Sequence, residues 1–183
     1  MTTVRRNVDL SKIQFTALPN DKVLDRFRCG ERQIDDWAEK CADLDRQPRA
    51  RVFCAMGEEE PLAHGFYSLS MTGVSAKGFD ERGAEHFTHS GFIPFIYIDY
   101  IAVREESKGN GIGTGLMVDA LRRCTAVARN VALFGVALNS LNAKTTAYYR
   151  SLRFGEKSQP NMQYPLMVLP VWTLFDLEKI RAE

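Results

Sequence analysis

Apolar residues recur along this chain at two spacings, and the spacing predicts the elements. Ile13 to Leu18 is a short apolar run that reads as a strand. Ile34, Trp37, Ala38 and Cys41 fall three, four and seven residues from the first, which predicts one apolar helix face. That helix opens at Gly30-Glu31, and Pro48 is its stop signal. Arg51 to Met56 predicts a strand, the acidic Gly57 to Pro61 a hairpin turn, and Leu62 to Thr72 the returning strand. Ser75 to Gly91 is polar, with three glycines and two histidines. It is long for a loop in a compact domain, so it is expected to be functional or poorly ordered. Phe92 to Val103, rich in Ile and aromatics, predicts a central strand. Gly111 to Arg129 is the clearest helix, with Ile112, Leu116, Ala120, Leu121, Cys124 and Val127 as its buried stripe. A strand over Val131 to Asn139, a helix over Leu141 to Leu152, and two last strands from Phe154 and over Gln163 to Leu174 complete the order β-α-β-β-β-α-β-α-β-β. The expected class is α/β (α+β), a mixed sheet covered by helices.

Composition narrows the class. The 183 residues predict a single domain, 1–183. Apolar residues at 45% and charged residues at 26% are a globular mix and argue against disorder. No apolar run approaches the ~18 residues of a membrane helix, and no apolar stretch follows Arg5 and Arg6 to make a secretory signal, so no membrane partner is expected. A net charge of +1 excludes attraction of the whole surface to nucleic acid and leaves local basic patches open. Cys29, Cys41, Cys54 and Cys124 form no C-x-x-C pair and read as reduced, buried thiols of a cytoplasmic protein. His86 and His89 lack metal-ligand spacing, so no metal is assigned. His64, at the start of a strand, reads as a surface or packing residue.

The chemistry lies in Val103 to Gly115, VREESKGNGIGTG. A strand ends, a charged link follows, and glycines stand at 109, 111, 113 and 115 before a helix. Glycines permit close backbone approach and positive φ, and the first helical amides have no partners inside the helix. Together with the helix dipole they suit a pyrophosphate. Walker A fails because Lys108 precedes the glycines, and the G-x-G-x-x-G fingerprint fails by register at Thr114 and Leu116. Arg/Gln-x-x-Gly-x-Gly/Ala fits Lys108-Gly109-Asn110-Gly111-Ile112-Gly113, with Lys in place of Arg or Gln. A purely structural glycine turn is the competing reading.

Strand IDYIAV, loop KGNGIG and the helix behind them resemble the acetyl-CoA motif of the GNAT family of N-acetyltransferases. Asn142, Tyr149 and Phe154 match the family pattern Asn-x6-Tyr-x4-Phe, with Thr145 where Ala is usual and Arg153 where Gly is usual. The resemblance implies a mixed, mostly antiparallel sheet of six to seven strands with helices on both faces. It implies that Ile101, Ala102 and Val103 pair with the pantetheine arm through the backbone of Ile101 and Val103. Lys108, Gly109, Asn110, Gly111, Ile112, Gly113 and Thr114 would form the pyrophosphate loop, with Asn142 near the CoA arm. Tyr149 resembles the tyrosine that hydrogen-bonds the CoA sulfur and would be the general acid for the thiolate, a role typically worth about 10²–10⁴-fold. Its competing reading is a core aromatic. Tyr148, about 100° around the helix, reads as filler.

A narrower resemblance spans almost the whole chain. Phe27-x-Cys29-Gly30-x3-Ile34-Asp35-x-Trp37, Gly65-Phe66-Tyr67-Ser68-Leu69 and Ile93-Pro94 are similar to the GNAT toxins of type II toxin–antitoxin modules. That likeness implies acetylation of the α-amino group of aminoacyl-tRNA, a ribbon-helix-helix antitoxin as partner, and a homodimer. Tyr100 stands where those toxins commonly carry Arg, and Asp99 precedes it. Arg46, Arg49 and Arg51, then Arg122, Arg123 and Arg129, then Lys144, Arg150 and Arg153 are the basic groups that could meet phosphates or simply face solvent. A small-molecule or protein amine as acceptor, and a non-catalytic acyl-CoA-binding module, are the alternative readings.

Overall fold

The structure, a computed structural model, describes residues 6–58, 60–76, 82, 84–157 and 165–182. Seven strands form one sheet: β1 (Ile13–Ala17), β2 (Arg51–Gly57), β3 (Gly65–Ser75), β4 (Phe92–Val103), β5 (Gly135–Asn139), β6 (Gly155–Lys157) and β7 (Leu166–Pro170). Their order is β1-β2-β3-β4-β5-β7-β6. β1–β2, β2–β3, β5–β7 and β6–β7 are antiparallel. β4 and β5 run parallel, pairing Phe95–Tyr97 with Gly135–Ala137. The sheet is therefore mixed and mostly antiparallel, as the resemblance implies. The helices among the described residues are α1 (Arg32–Ala38), α2 (Cys41–Arg46), α3 (Ile112–Ala128), α4 (Ala143–Ser151) and α5 (Val171–Ala182).

Packing divides the chain into two compact units. One is Met1–Ser70 with Asp99–Ala120, the other Met71–Ile98 with Leu121–Glu183. In the first, the apolar faces of α1 and α2 close over β2 and β3. Trp37 stacks 5.5 Å from Phe66, and Tyr100 lies 4.8 Å from Trp37 on its own account. Phe27 meets Phe66 edge-on at 4.9 Å, an arrangement favoured by the ring quadrupoles. The buried Arg104 lies over Phe27 and donates from Nε to the Ala63 carbonyl at 2.9 Å and from Nη1 to the Arg26 carbonyl at 3.1 Å. In the second unit Phe134 is the hub, with Phe95 and Trp172 each 5.3 Å away and Phe87 at 6.3 Å.

Several expected boundaries shift for local reasons. The helix opened at Gly30-Glu31 is two short helices, because after Ala38 the Lys40 amide bonds the Trp37 carbonyl and the spiral breaks. Ala38 and Cys41 are still buried, so the period was right and the continuity was not. In α3, Met117 is buried and Val127 is 40% exposed, which moves the stripe by one position. The strand expected from Val131 begins at Gly135, since Val131 still bonds back to Val127 at the helix end. The last strand stops at Pro170 rather than Leu174, and α5 follows. Val-Trp-Thr-Leu-Phe has strand-like chemistry, but the Val171 amide is held by the Phe134 carbonyl at 2.8 Å, and Trp172 packs on that ring. Packing overrides propensity here. Within the expected loop, Ala84–Ser90 forms a 3-10 helix, and 77–81 and 83 lie outside the described residues.

Candidate active site

In the first unit, β4 ends at Val103 and a 3-10 turn, Glu105–Ser107, leads to the glycine loop. Gly109 has φ +88° and Gly111 φ +77°, the left-handed region that a side chain would strain. The loop thereby turns into the 17-residue α3, whose first hydrogen bond runs from the Gly115 amide to the Gly111 carbonyl at 3.1 Å. The amides of Ile112, Gly113 and Thr114 precede that bond, so they are the donors a helix leaves open at its start. Gly111 and Thr114 are exposed and Gly113 half-exposed. Ile101 and Val103 are half-buried, with Ala102 buried between them. At Gly65, opposite on β3, a Cβ would come within 2.6 Å of the Ala102 carbonyl, which explains the glycine that opens Gly65-Phe66-Tyr67.

The loop is held from two sides by groups absent from the phosphate-binding pattern. Asn110 acts like a peptide group: its Oδ1 accepts from the Val8 amide at 3.2 Å, and its Nδ2 donates to the Arg6 carbonyl at 2.9 Å. The Arg6 amide donates to the Glu106 carbonyl at 2.8 Å. Residues 6–12 are thus a strap along the loop, and Leu10 lies against Gly111. On the other side, Lys108 Nζ donates to the Cys29 carbonyl at 2.6 Å and to Glu105 at 3.0 Å. The Cys29 amide in turn donates to the buried Asp35 carboxylate at 2.7 Å. The Phe27-to-Trp37 motif therefore builds a platform beside the loop. The Lys108 ammonium is spent on that platform.

In the second unit, Asn142 caps α4. Its side chain accepts from the Thr145 amide, and Thr145 Oγ1 accepts from the Asn142 amide, each at 3.0 Å. Thr145, the departure from Ala, thus completes a capping box. Asn142 Nδ2 makes no hydrogen bond among the described residues. At the other end, Arg153 takes φ +69° in the place of the usual glycine. The Phe154 amide bonds the Tyr149 carbonyl at 3.1 Å, and the Arg153 amide bonds the Arg150 carbonyl at 2.9 Å. This is a Schellman cap, with its accompanying apolar contact between Tyr149 and Phe154, centroids 5.9 Å apart. The motif fixes the Tyr149 ring. Tyr149 is 7% exposed, and burial, with Tyr148 beside it, pushes its phenol up to about 12. Such a phenol stays protonated at neutral pH and can donate. Its hydroxyl makes no hydrogen bond among the described residues. The Tyr148 hydroxyl is buried and also without a partner there.

The remaining candidates resolve into structure. His64 is buried and shares a 2.9 Å hydrogen bond with Ser107 Oγ, the packing role expected of it. His86 is exposed, and the His89 side chain lies outside the described residues. All four cysteines are buried free thiols. Arg46 pairs with Asp21 and Asp43, and Arg150 with Glu156. Asp99 accepts from Ser70 Oγ of β3 at 2.8 Å, a pairing between strands that sequence spacing does not reveal.

A strand that ends in a left-handed glycine loop at a helix start, with a buried protonated tyrosine on a later helix, fits an acyl-CoA-dependent transferase. The profile of the Acetyltransferase (GNAT) family matches residues 15–154, and the chain belongs to that family of acetyl-CoA-dependent enzymes. Among individual relatives, it is 28% identical over 168 residues to the probable toxin TacT of Sinorhizobium fredii, covering 87% of this chain and 91% of that one. It is 27% identical over 143 residues to a tRNA-acetylating toxin of Mycobacterium tuberculosis, covering 78% of this chain and 83% of the relative. A mutant of KacT has the same fold, with TM-score 0.78 at 18% identity over 91% of this chain and 99% of that one. So does AtaT complexed with acetyl-methionyl-tRNAfMet, with TM-score 0.77 at 19% identity and the same coverage. No helix among the described residues is long and apolar enough to cross a membrane.

Proposed function

We propose that the protein transfers the acetyl group of acetyl-CoA to the α-amino group of aminoacyl-tRNA, with Tyr149 as the acid that protonates the departing thiolate. The observation that carries the acceptor is the likeness to a tRNA-acetylating toxin over 78% of the chain. In this reading the chain acts as one domain, since β3, β4 and α3 each contribute to both compact units. Its substrates put the reaction in the cytoplasm, and an antitoxin of ribbon-helix-helix type and a second copy of the chain are its proposed protein partners.

Each group has a stated task. The amides from Gly109 to Thr114 bind the diphosphate, aided by the dipole of α3. The backbone of Ile101 and Val103 is offered to the pantetheine amides, a role supported by β4 running on after its pairing with β5 ends at Tyr97. Asn142 Nδ2 is free to donate to the same arm. Holding both reactants in place supplies up to ~7–11 kcal/mol of the barrier reduction. The Tyr149 phenol, protonated at neutral pH, gives its proton to sulfur as the carbon–sulfur bond breaks.

The test uses labelled acetyl-CoA with charged tRNA, uncharged tRNA and free amines. Label is expected on charged tRNA alone. Tyr149→Phe should lower kcat by about 10²–10⁴ with the KM for acetyl-CoA unchanged, while Tyr148→Phe should keep most activity. Label confined to free amines would overturn the tRNA acceptor in favour of a small-molecule or protein amine, the reading that the net charge of +1 supports.

A further inference from the structure

His64 enters no step of the acetyl transfer, yet it is both buried and titratable. Its Nδ1 shares the 2.9 Å hydrogen bond with Oγ of the fully buried Ser107, the residue before Lys108 and the glycine loop. Its Nε2 is buried, makes no hydrogen bond among the described residues and lies 3.4 Å from Glu60 Oε1. That separation suits an ion pair rather than a hydrogen bond. The other Glu60 oxygen faces Arg6 Nη1 at 3.3 Å. Arg6 begins the strap, and its carbonyl and the Ser107 carbonyl both accept from Asn110 Nδ2, at 2.9 Å and 3.1 Å. The His64 ring thus reaches Asn110 by two routes, through Ser107 and through Glu60 and Arg6. These residues all lie in the first compact unit.

We infer that His64 is a positioning residue for the acetyl-CoA loop: one ring nitrogen holds Ser107, and the other, when the ring is charged, draws Glu60 and with it the strap of residues 6–12 onto the same loop. The inference rests on the reading of the glycine loop as the diphosphate site and deepens it. A neutral imidazole has one donor and one acceptor, while the charged ring has two donors. With the ring neutral, Nε2 is a buried polar atom without a hydrogen bond, which costs free energy. With the ring charged, Nε2 carries a proton toward a carboxylate that already faces Arg6. The charged groups around the ring are Glu60 in contact, Arg6 beyond it, and Glu106, 3.8 Å from Arg6 Nε. Arg104 is the other cation: its amide donates to the His64 carbonyl at 2.7 Å, and its guanidinium is turned to the carbonyls of Ala63 and Arg26. Glu60 favours the charged ring, Arg104 opposes it, and Arg6 is offset by its own pairing with Glu106. Imidazoles change charge between about pH 5 and pH 8. The grip on the strap is therefore complete at the lower end and relaxes toward the upper, and affinity for acetyl-CoA follows it.

The test measures the Kd for acetyl-CoA by calorimetry at about pH 5.5 and about pH 8.5, toward the two ends of the imidazole range, for wild type, His64→Asn and Glu60→Gln. The acetyl-CoA phosphates titrate alike in every sample, so the ratio between proteins at each pH is the quantity read. Asn keeps a polar atom where the ring presents Nδ1 to Ser107. Wild type should bind about fivefold more tightly than either variant at the lower pH and within about twofold of both at the higher. A ratio that is the same at both pH values would overturn the inference, because a ring that merely packs has no reason to act through its charge. A low-pH gain that survives in Glu60→Gln would overturn the route through the strap. The Glu60 side chain is 42% exposed, so Glu60→Gln decides the matter even if His64→Asn fails to fold. Gly113→Asp tests the diphosphate reading itself. A Cβ there meets Val103 at an ordinary 3.5 Å, and the added carboxylate should weaken binding at least about tenfold at both pH values. Unchanged binding in Gly113→Asp would remove the diphosphate site and the inference with it. Weakened binding there, with the His64 and Glu60 ratios flat, would remove the inference alone.

Discussion

Arg153 holds a backbone conformation that costs an L-residue roughly 1–2 kcal/mol relative to glycine. The Schellman cap forms around it nonetheless, because the Phe154–Tyr149 ring contact and two amide bonds hold the turn. Arg153→Gly should therefore stabilise the protein by about 1 kcal/mol, read as a rise in Tm, with kcat unaltered. The sequence shows Arg where the family pattern has Gly. The structure shows the same cap under strain, an outcome decided by a contact one residue beyond. Thr145 makes the same point: a departure from the family pattern becomes a capping partner that orients Asn142.

At the scale of elements, the glycine loop was legible and its supports were not. Glycines before an amphipathic helix mark a candidate anion site by local chemistry alone. That Asn110 would mimic a peptide group toward residues 6–8, and Lys108 reach the Cys29 carbonyl, depends on segments far apart in the chain. Asn110→Ala should raise the KM for acetyl-CoA by about tenfold, one 1.4 kcal/mol step, and leave kcat unchanged. Removing residues 1–10 should do the same, and the two changes together should do no more than either, because both free the same loop. Steady-state kinetics on the three variants checks this, and additive effects would separate the strap from the loop. α5 departs from the expected strand for the opposite reason: its β-branched and aromatic residues say strand, and only the Phe134 ring and carbonyl turn them into a helix.

Across the whole molecule, four buried thiols and one buried phenol share one direction. Burial pushes the Cys29 thiol up to about 11 and the Cys41, Cys54 and Cys124 thiols up to about 12, and the Tyr149 phenol also to about 12. The unfolded chain ionises thiols near ~8.5 and phenols near ~10. A folded pKa above the unfolded one means stability that is complete below the unfolded value and drains away as pH rises through the folded one. Tm, measured with reductant present, should hold up to about pH 8.5 and then fall steadily toward pH 12. A flat profile to about pH 11 would show that these groups ionise without unfolding the chain.

The sequence by itself determined the succession of strands and helices through Asn142, apart from the break between α1 and α2, and it marked the candidate anion loop and the candidate acid, because period, glycine placement and helix capping are local. It also carried the family, through motifs that local chemistry made readable. Tertiary structure alone decided which atoms lock the loop, how an arginine can cap a helix, and that Asp99 accepts from Ser70 on the neighbouring strand. Those depend on which strands become neighbours, and neighbours in a sheet are chosen by burial over the whole chain, not by residues adjacent in sequence.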